Sequence, residues 1–188
     1  MQIAVALEAL LMMPIRRANL VTLRLGPDGH FKFRRDRKGT THIVIPAHEV
    51  KNDEPLEYPI PAETGDLLEA YITRYRPILD RHGTTWLFPG EKAGAHKSFD
   101  QFSRQFSATM WRWTGLKMNL HLMRHFGAML YLEENPGNYE VVRRILGHRR
   151  LETTVNSYVG MEMAATVRHF DAVILGIRNG ISRGVRDD

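Results

Sequence analysis

Apolar residues recur at three- and four-residue steps over most of this chain, and the breaks between runs fall on glycine, proline and asparagine. Between 63 and 80 the series Leu67, Leu68, Tyr71, Ile72, Tyr75, Ile78 and Leu79 predicts a helix. The same spacing predicts helices over 98–113, 119–133, 139–146, 151–159 and 163–178, divided by Thr114-Gly115, Asn135-Pro136-Gly137, Gly147 and Gly160. Residues 3–13 are apolar on nearly every side, the pattern of a helix buried on several faces, and Pro14 breaks or restarts it. A core helix this early leads to the expectation that something N-terminal to Met1 is missing, either by truncation or because another segment normally covers this helix.

Gly26-Pro27-Asp28-Gly29 is a strong turn signal. After it, the alternation changes to that of short strands at 30–33, 42–45 and 55–60, separated by polar joints. The expectation is α+β, mainly helical, with a small three-stranded antiparallel sheet in the N-terminal third. Residues 84–88 lead into a Gly- and Lys-containing loop expected to be mobile, and 179–188 read as a polar tail.

A length of 188 residues with 43% hydrophobic and 25% charged positions suits one folded domain, here 1–178. The charge of +5, from 26 Lys and Arg against 21 Asp and Glu, favours a polyanionic partner without proving one. With no cysteine, disulfide frameworks, Cys-ligated zinc and cysteine nucleophiles are excluded. The apolar start is too short to span a membrane and lacks a positive leader, so a cytoplasmic location is expected.

The chemistry concentrates in two segments. In 119–133, Asn119 is a candidate cap and Leu120, Met123, Gly127 and Leu130 a candidate apolar face. His121 and Arg124 occupy another face, where an isolated pair would simply be solvated. His121 and His125 have a spacing that can chelate zinc, but no third ligand accompanies them, so no metal is expected. Further on, RRILGHRRLETTVNSYVG places a tyrosine shortly after Leu-Gly-His. Leu151, Val155 and Tyr158 also fall on one helical stripe, the pattern of plain core packing.

Together, H-x-x-R, L-G-H and the following tyrosine resemble the signature of the tyrosine recombinases, the phage-integrase family. PIRRANLVTL is similar to that family's first arginine motif, and HIVIPAHEVKNDEPLEYPIP to the β-hairpin carrying its lysine. Asn19 stands where many members carry an acidic residue, and Tyr158 follows His148 at one residue more than the commonest spacing. The resemblance implies a mostly helical catalytic domain. It also implies Arg16 and Arg124 as a phosphate clamp, Lys51 as general acid, His121 as base or proton relay, His148 as a donor to the phosphate and Tyr158 as nucleophile.

The implied reaction is site-specific cleavage and rejoining of double-stranded DNA through a 3′-phosphotyrosyl intermediate, without cofactor, by a homo-oligomer assembled on DNA as a tetrameric synapse. Arg34, Arg35, Arg37, Lys38, Lys92, Lys97, Arg104, Arg149 and Arg150 are candidates for the duplex backbone. Two other functions fit the same residues: a catalytically silent fragment that binds DNA or other protomers, and a relaxing enzyme like the type IB topoisomerases.

Overall fold

A computed structural model describes residues 1–32, 41–158 and 172–176. Arg34, Arg35, Arg37, Lys38, the tail at 179–188 and most of the helix expected at 163–178 lie outside the described residues. The chain divides into two compact units, Met1–Gly127 and Ala128–Asp188.

The first unit begins with α1 (Gln2–Met12), whose Ile3, Val5, Ala6, Ala9 and Leu10 are all buried, as its all-round apolar pattern requires. Pro14 disfavours the helical conformation at Met13, so α1 stops there and the chain runs extended into the short α2 (Arg17–Val21). An antiparallel sheet in the order β1-β2-β3 follows, with β1 (Phe31–Lys32) a two-residue edge and β2 (Thr41–Ile45) and β3 (Leu56–Ile60) of five residues each. Register pairs Ile43 with Tyr58 and Ile45 with Leu56. Alternation along β3 turns Leu56, Tyr58 and Ile60 into the core and leaves Glu57 and Pro59 outside.

The helical run predicted for 63–80 forms as α3 (Ala62–Ala70), a π-helical stretch (Tyr71–Tyr75) and α4 (Arg76–Leu79). The π turn has a local cause in Pro77, which lacks an N–H and cannot continue the regular ladder. Tyr71 donates its hydroxyl to the Leu87 carbonyl at 3.1 Å, and Arg76 donates Nε to the Trp86 carbonyl at 2.8 Å, which ties this helix to the 84–88 segment. Residues 84–88 in turn bridge to the chain near Arg24, with Leu25 N–H bonding Thr85 O and Leu87 N–H bonding Leu23 O.

The loop after Phe88, expected to be mobile, is instead a bonded turn. Gly90 and Ala95 pair, Lys97 N–H reaches Phe88 O, and Trp86 Nε1 donates to Gly94 O. Its glycines allow the tight reversal that makes these bonds, a feature composition alone does not reveal. Helix α5 (Phe99–Thr114) then buries Phe102, Phe106 and Met110 on one stripe, and each buried ring contributes about 2 kcal/mol by area removed from water.

Helix α6 (Leu120–Glu134) runs through the boundary between the units. Its first half buries Leu120 and Met123, but Leu130, expected on the same face, is exposed. In the second half Ala128 and Leu132 are the buried positions, so the two halves of one helix bury different faces. The second unit's core combines these with Val142 and Leu146 of α7 (Tyr139–Leu146) and Tyr158 of α8 (Leu151–Tyr158).

Candidate active site

Arg16 sits in the extended segment that α1's termination creates, and its carbonyl accepts the first bond of α2 from Leu20 N–H. Its Nη2 donates to Asn52 Oδ1 at 3.4 Å. Its Nη1 is buried and, among the described residues, has no hydrogen-bond partner. Three residues on, Asn19 is buried and donates Nδ2 to the Glu49 carbonyl at 2.8 Å. The polar position of the first arginine motif therefore acts as an anchor for the β2–β3 connection.

That connection carries Lys51. A 3₁₀ turn (Ala47–Glu49) leads into Val50, which is buried, and Lys51 follows with its side chain exposed. Asp53 adopts a left-handed φ of 56°, which lets the chain reverse into β3. Lys51 is thus an exposed ammonium between two anchored neighbours, Glu49 and Asn52.

Asn119 caps α6 as its sequence position suggests: Oδ1 accepts from both His121 N–H and Leu122 N–H at 2.9 Å. The cap sets the helical phase, and phase separates the two motif residues. His121 is exposed in the first turn, whereas Arg124 is 5% exposed, so the solvated-pair reading does not hold for Arg124. Burial pushes the Tyr58 phenol on β3 up to about 12, against the opposing pull of the Arg124 and Arg16 charges. Both guanidiniums therefore act on one neutral phenol.

His121 and His125 share an Nε2 to Nε2 hydrogen bond of 3.2 Å, so one ring donates while the other accepts. Desolvation lowers the His125 pKa, and the neighbouring His121 and Arg124 lower it further. Among the described residues no three metal-ligating side chains converge.

In the second unit, the Leu-Gly-His motif has a clear backbone role. Gly147 takes a left-handed φ of 59° past the end of α7, and His148 N–H then bonds Arg143 O at 2.9 Å. His148 Nδ1 shares a hydrogen bond of 2.9 Å with Thr154 Oγ1. Thr154 is fully buried, and Tyr158 one turn later is 2% exposed. Leu151 is exposed and Val155 half-buried, so the fully buried positions of α8 are Thr154 and Tyr158.

The six motif residues fall in two sets: Arg16, Lys51, His121 and Arg124 in the first unit, His148 and Tyr158 in the second. Sequence reading gave no role to Tyr58, Asn52, Glu49, His30 or Thr154. Glu49, Asn52 and Tyr58 lay inside the quoted hairpin string and Thr154 inside the string ending at Tyr158, while His30 lay outside every quoted motif. Of the described basic candidates, Lys92, Arg104, Arg149 and Arg150 are exposed. Lys97 is half-buried, donates Nζ to Gln2 Oε1 at 2.9 Å, and has its pKa lowered by desolvation.

The model of the phage integrase family matches residues 1–164. Similar solved structures include XerH site-specific recombinase bound to difH substrate in a pre-cleavage complex. Its TM-score is 0.63 at 19% identity, covering 82% of this chain and 42% of that one. XerA recombinase gives 0.63 at 17% identity, covering 89% and 56%. The Tn1549 transposon integrase in complex with a circular intermediate DNA gives 0.58 at 16% identity, covering 89% and 57%. The chain spans about half the length of these structures. No curated protein sequence matches it.

Proposed function

Because the chain belongs to the phage integrase family, we propose that it breaks and rejoins double-stranded DNA site-specifically, through a covalent bond between Tyr158 and a 3′ phosphate. The observation that carries this reading is that the charges of both Arg16 and Arg124 act on the one buried phenol of Tyr58. Arg124 is buried, and Arg16, which has a buried unpartnered N–H, bonds Asn52 in the turn that holds Lys51. A free buried N–H costs roughly 1 to 3 kcal/mol unless a ligand satisfies it, and a phosphodiester oxygen would do so.

In the proposed reaction the Tyr158 oxygen bonds to phosphorus and the bond from phosphorus to the 5′ oxygen breaks. Arg16 and Arg124 bind the equatorial oxygens as charge builds on them. Lys51 gives the departing 5′ oxygen its proton, while His121 takes up or relays the tyrosine proton. His148, oriented by Thr154, donates to the phosphate. Tyr158 is packed against Ala128, Leu132, Val142 and Leu146. One ester replaces another, and the step requires neither cofactor nor external energy.

Residues 1–178 act in this reading as one catalytic domain. Exposed Arg104, Arg149 and Arg150 meet the duplex backbone, and several protomers assemble on one cytoplasmic DNA. Among the described residues no helix is long and apolar enough to cross a membrane.

The experiment is incubation with a nicked duplex that loses a short fragment on cleavage, in excess EDTA. The expected result is a covalent protein–DNA species that forms without divalent metal and religates to an added 5′-hydroxyl strand without ATP. Cleavage that requires Mg²⁺ and leaves free ends with no linked protein would contradict the proposal.

A further inference from the structure

The motif residues do not account for a polar network beneath the Lys51 turn. Glu49, two residues before Lys51, is only 17% exposed in its side chain. Arg24 Nη2 donates to its Oε1. His30 is 2% exposed, and its Nε2 lies 3.0 Å from Glu49 Oε2. The Arg24 backbone N–H donates to His30 Nδ1 at 2.9 Å, so Nδ1 is the acceptor nitrogen and the proton sits on Nε2, facing the carboxylate. Burial would raise the Glu49 pKa, but the hydrogen bonds from Arg24 and His30 and the Arg24 charge hold it below the usual carboxylate range.

The network reaches further through the main chain. The Glu49 carbonyl accepts from Asn19, and Asn52, on the other side of Lys51, accepts from Arg16. Both flanks of Lys51 are thus fastened to the segment that carries Arg16. The Glu49 charge is already engaged by Arg24 and His30, so it gives Lys51 a fixed base without forming an ion pair that would occupy its ammonium.

We propose that Glu49, held by Arg24 and His30, is a positioning residue that fixes the turn so that the Lys51 ammonium stands at the leaving 5′ oxygen. This rests on Lys51 being the general acid. A rigid base matters because displacing a proton donor by about 1 Å can cost on the order of 10²-fold in rate. A lysine on a loose turn would also have to be ordered at every turnover.

The test uses the chain with two nicked substrates, one with the natural 5′ oxygen at the scissile bond and one with sulfur in its place. A thiolate leaves without needing a proton, so cleavage of the sulfur substrate bypasses the general acid. Glu49→Gln is the sharp variant because it keeps the shape of the side chain. Its amide has one acceptor where two donors, Arg24 and His30, must be met, so one bond fails in either orientation. Glu49→Gln is expected to slow single-turnover cleavage of the oxygen substrate about tenfold or more. On the sulfur substrate it should stay within about twofold of the unmodified chain, and DNA affinity should be unchanged. Lys51→Ala should show the same pattern more deeply, by about 10² to 10⁴.

A variant that is merely misfolded loses both substrates equally. Equal loss by Glu49→Gln on both, or cleavage of both at the unmodified rate, overturns the positioning role. If Lys51→Ala shows no selective rescue by sulfur, the general-acid reading fails and this inference falls with it. If Lys51→Ala is rescued and Glu49→Gln is not, the positioning role fails alone.

Discussion

Tyr158→Phe is expected to form no covalent adduct with DNA, a loss of at least about 10⁴-fold in cleavage, because the substitution removes the oxygen proposed to attack phosphorus. The aromatic ring remains, so the packing with Ala128, Leu132, Val142 and Leu146 is kept. Removing the hydroxyl should change stability by only about 1 kcal/mol. Non-covalent binding to an uncut duplex should be retained. A gel-resolved adduct that persists in Tyr158→Phe would place the nucleophile elsewhere.

The second large effect belongs to Arg124. Arg124→Lys keeps the positive charge but loses the planar fork that can hold two phosphate oxygens at once. Cleavage should fall by about 10² to 10³-fold, the usual consequence of removing a preorganised donor to developing charge. Duplex affinity should change by less than about tenfold, because the ground-state phosphate carries less charge at those oxygens. Single-turnover rates measured beside equilibrium binding separate the two. A loss of affinity as large as the loss of rate would make Arg124 a binding residue only.

Helix positions were legible in the sequence because three- and four-residue spacing is strong in α3, α5 and α7, and the caps at Asn119 and Gly147 have residue types suited to their geometry. The motif strings were recognisable because each is short, and the structure sets H-x-x-R within one helical turn, L-G-H at a helix end and the tyrosine on the next helix; their roles rest on the proposal. What spacing could not reveal is which side faces inward when a helix serves two units. Leu130 is the example, since the second half of α6 packs through Ala128 and Leu132. Similarly, Thr154 is buried and Leu151 exposed because Thr154 meets His148, a polar contact that a hydrophobic pattern ranks the wrong way.

The support beneath Lys51 was invisible for another reason. Arg24, His30 and Glu49 are far apart in sequence, and each alone reads as a solvated charge. Their convergence depends on the sheet and on the main-chain pairing of Arg24 with His30. Charge alone likewise did not reveal that the Lys97 ammonium bonds Gln2 and sits over the Phe102 ring.

The most direct measurement is to trap the chain on a nicked duplex, digest the complex and map the residue that carries the nucleotide by mass spectrometry. The account predicts a single modified peptide from the 151–158 helix, with the phosphate on Tyr158. Attachment at any other residue, or strand cleavage with no attached peptide, would contradict it.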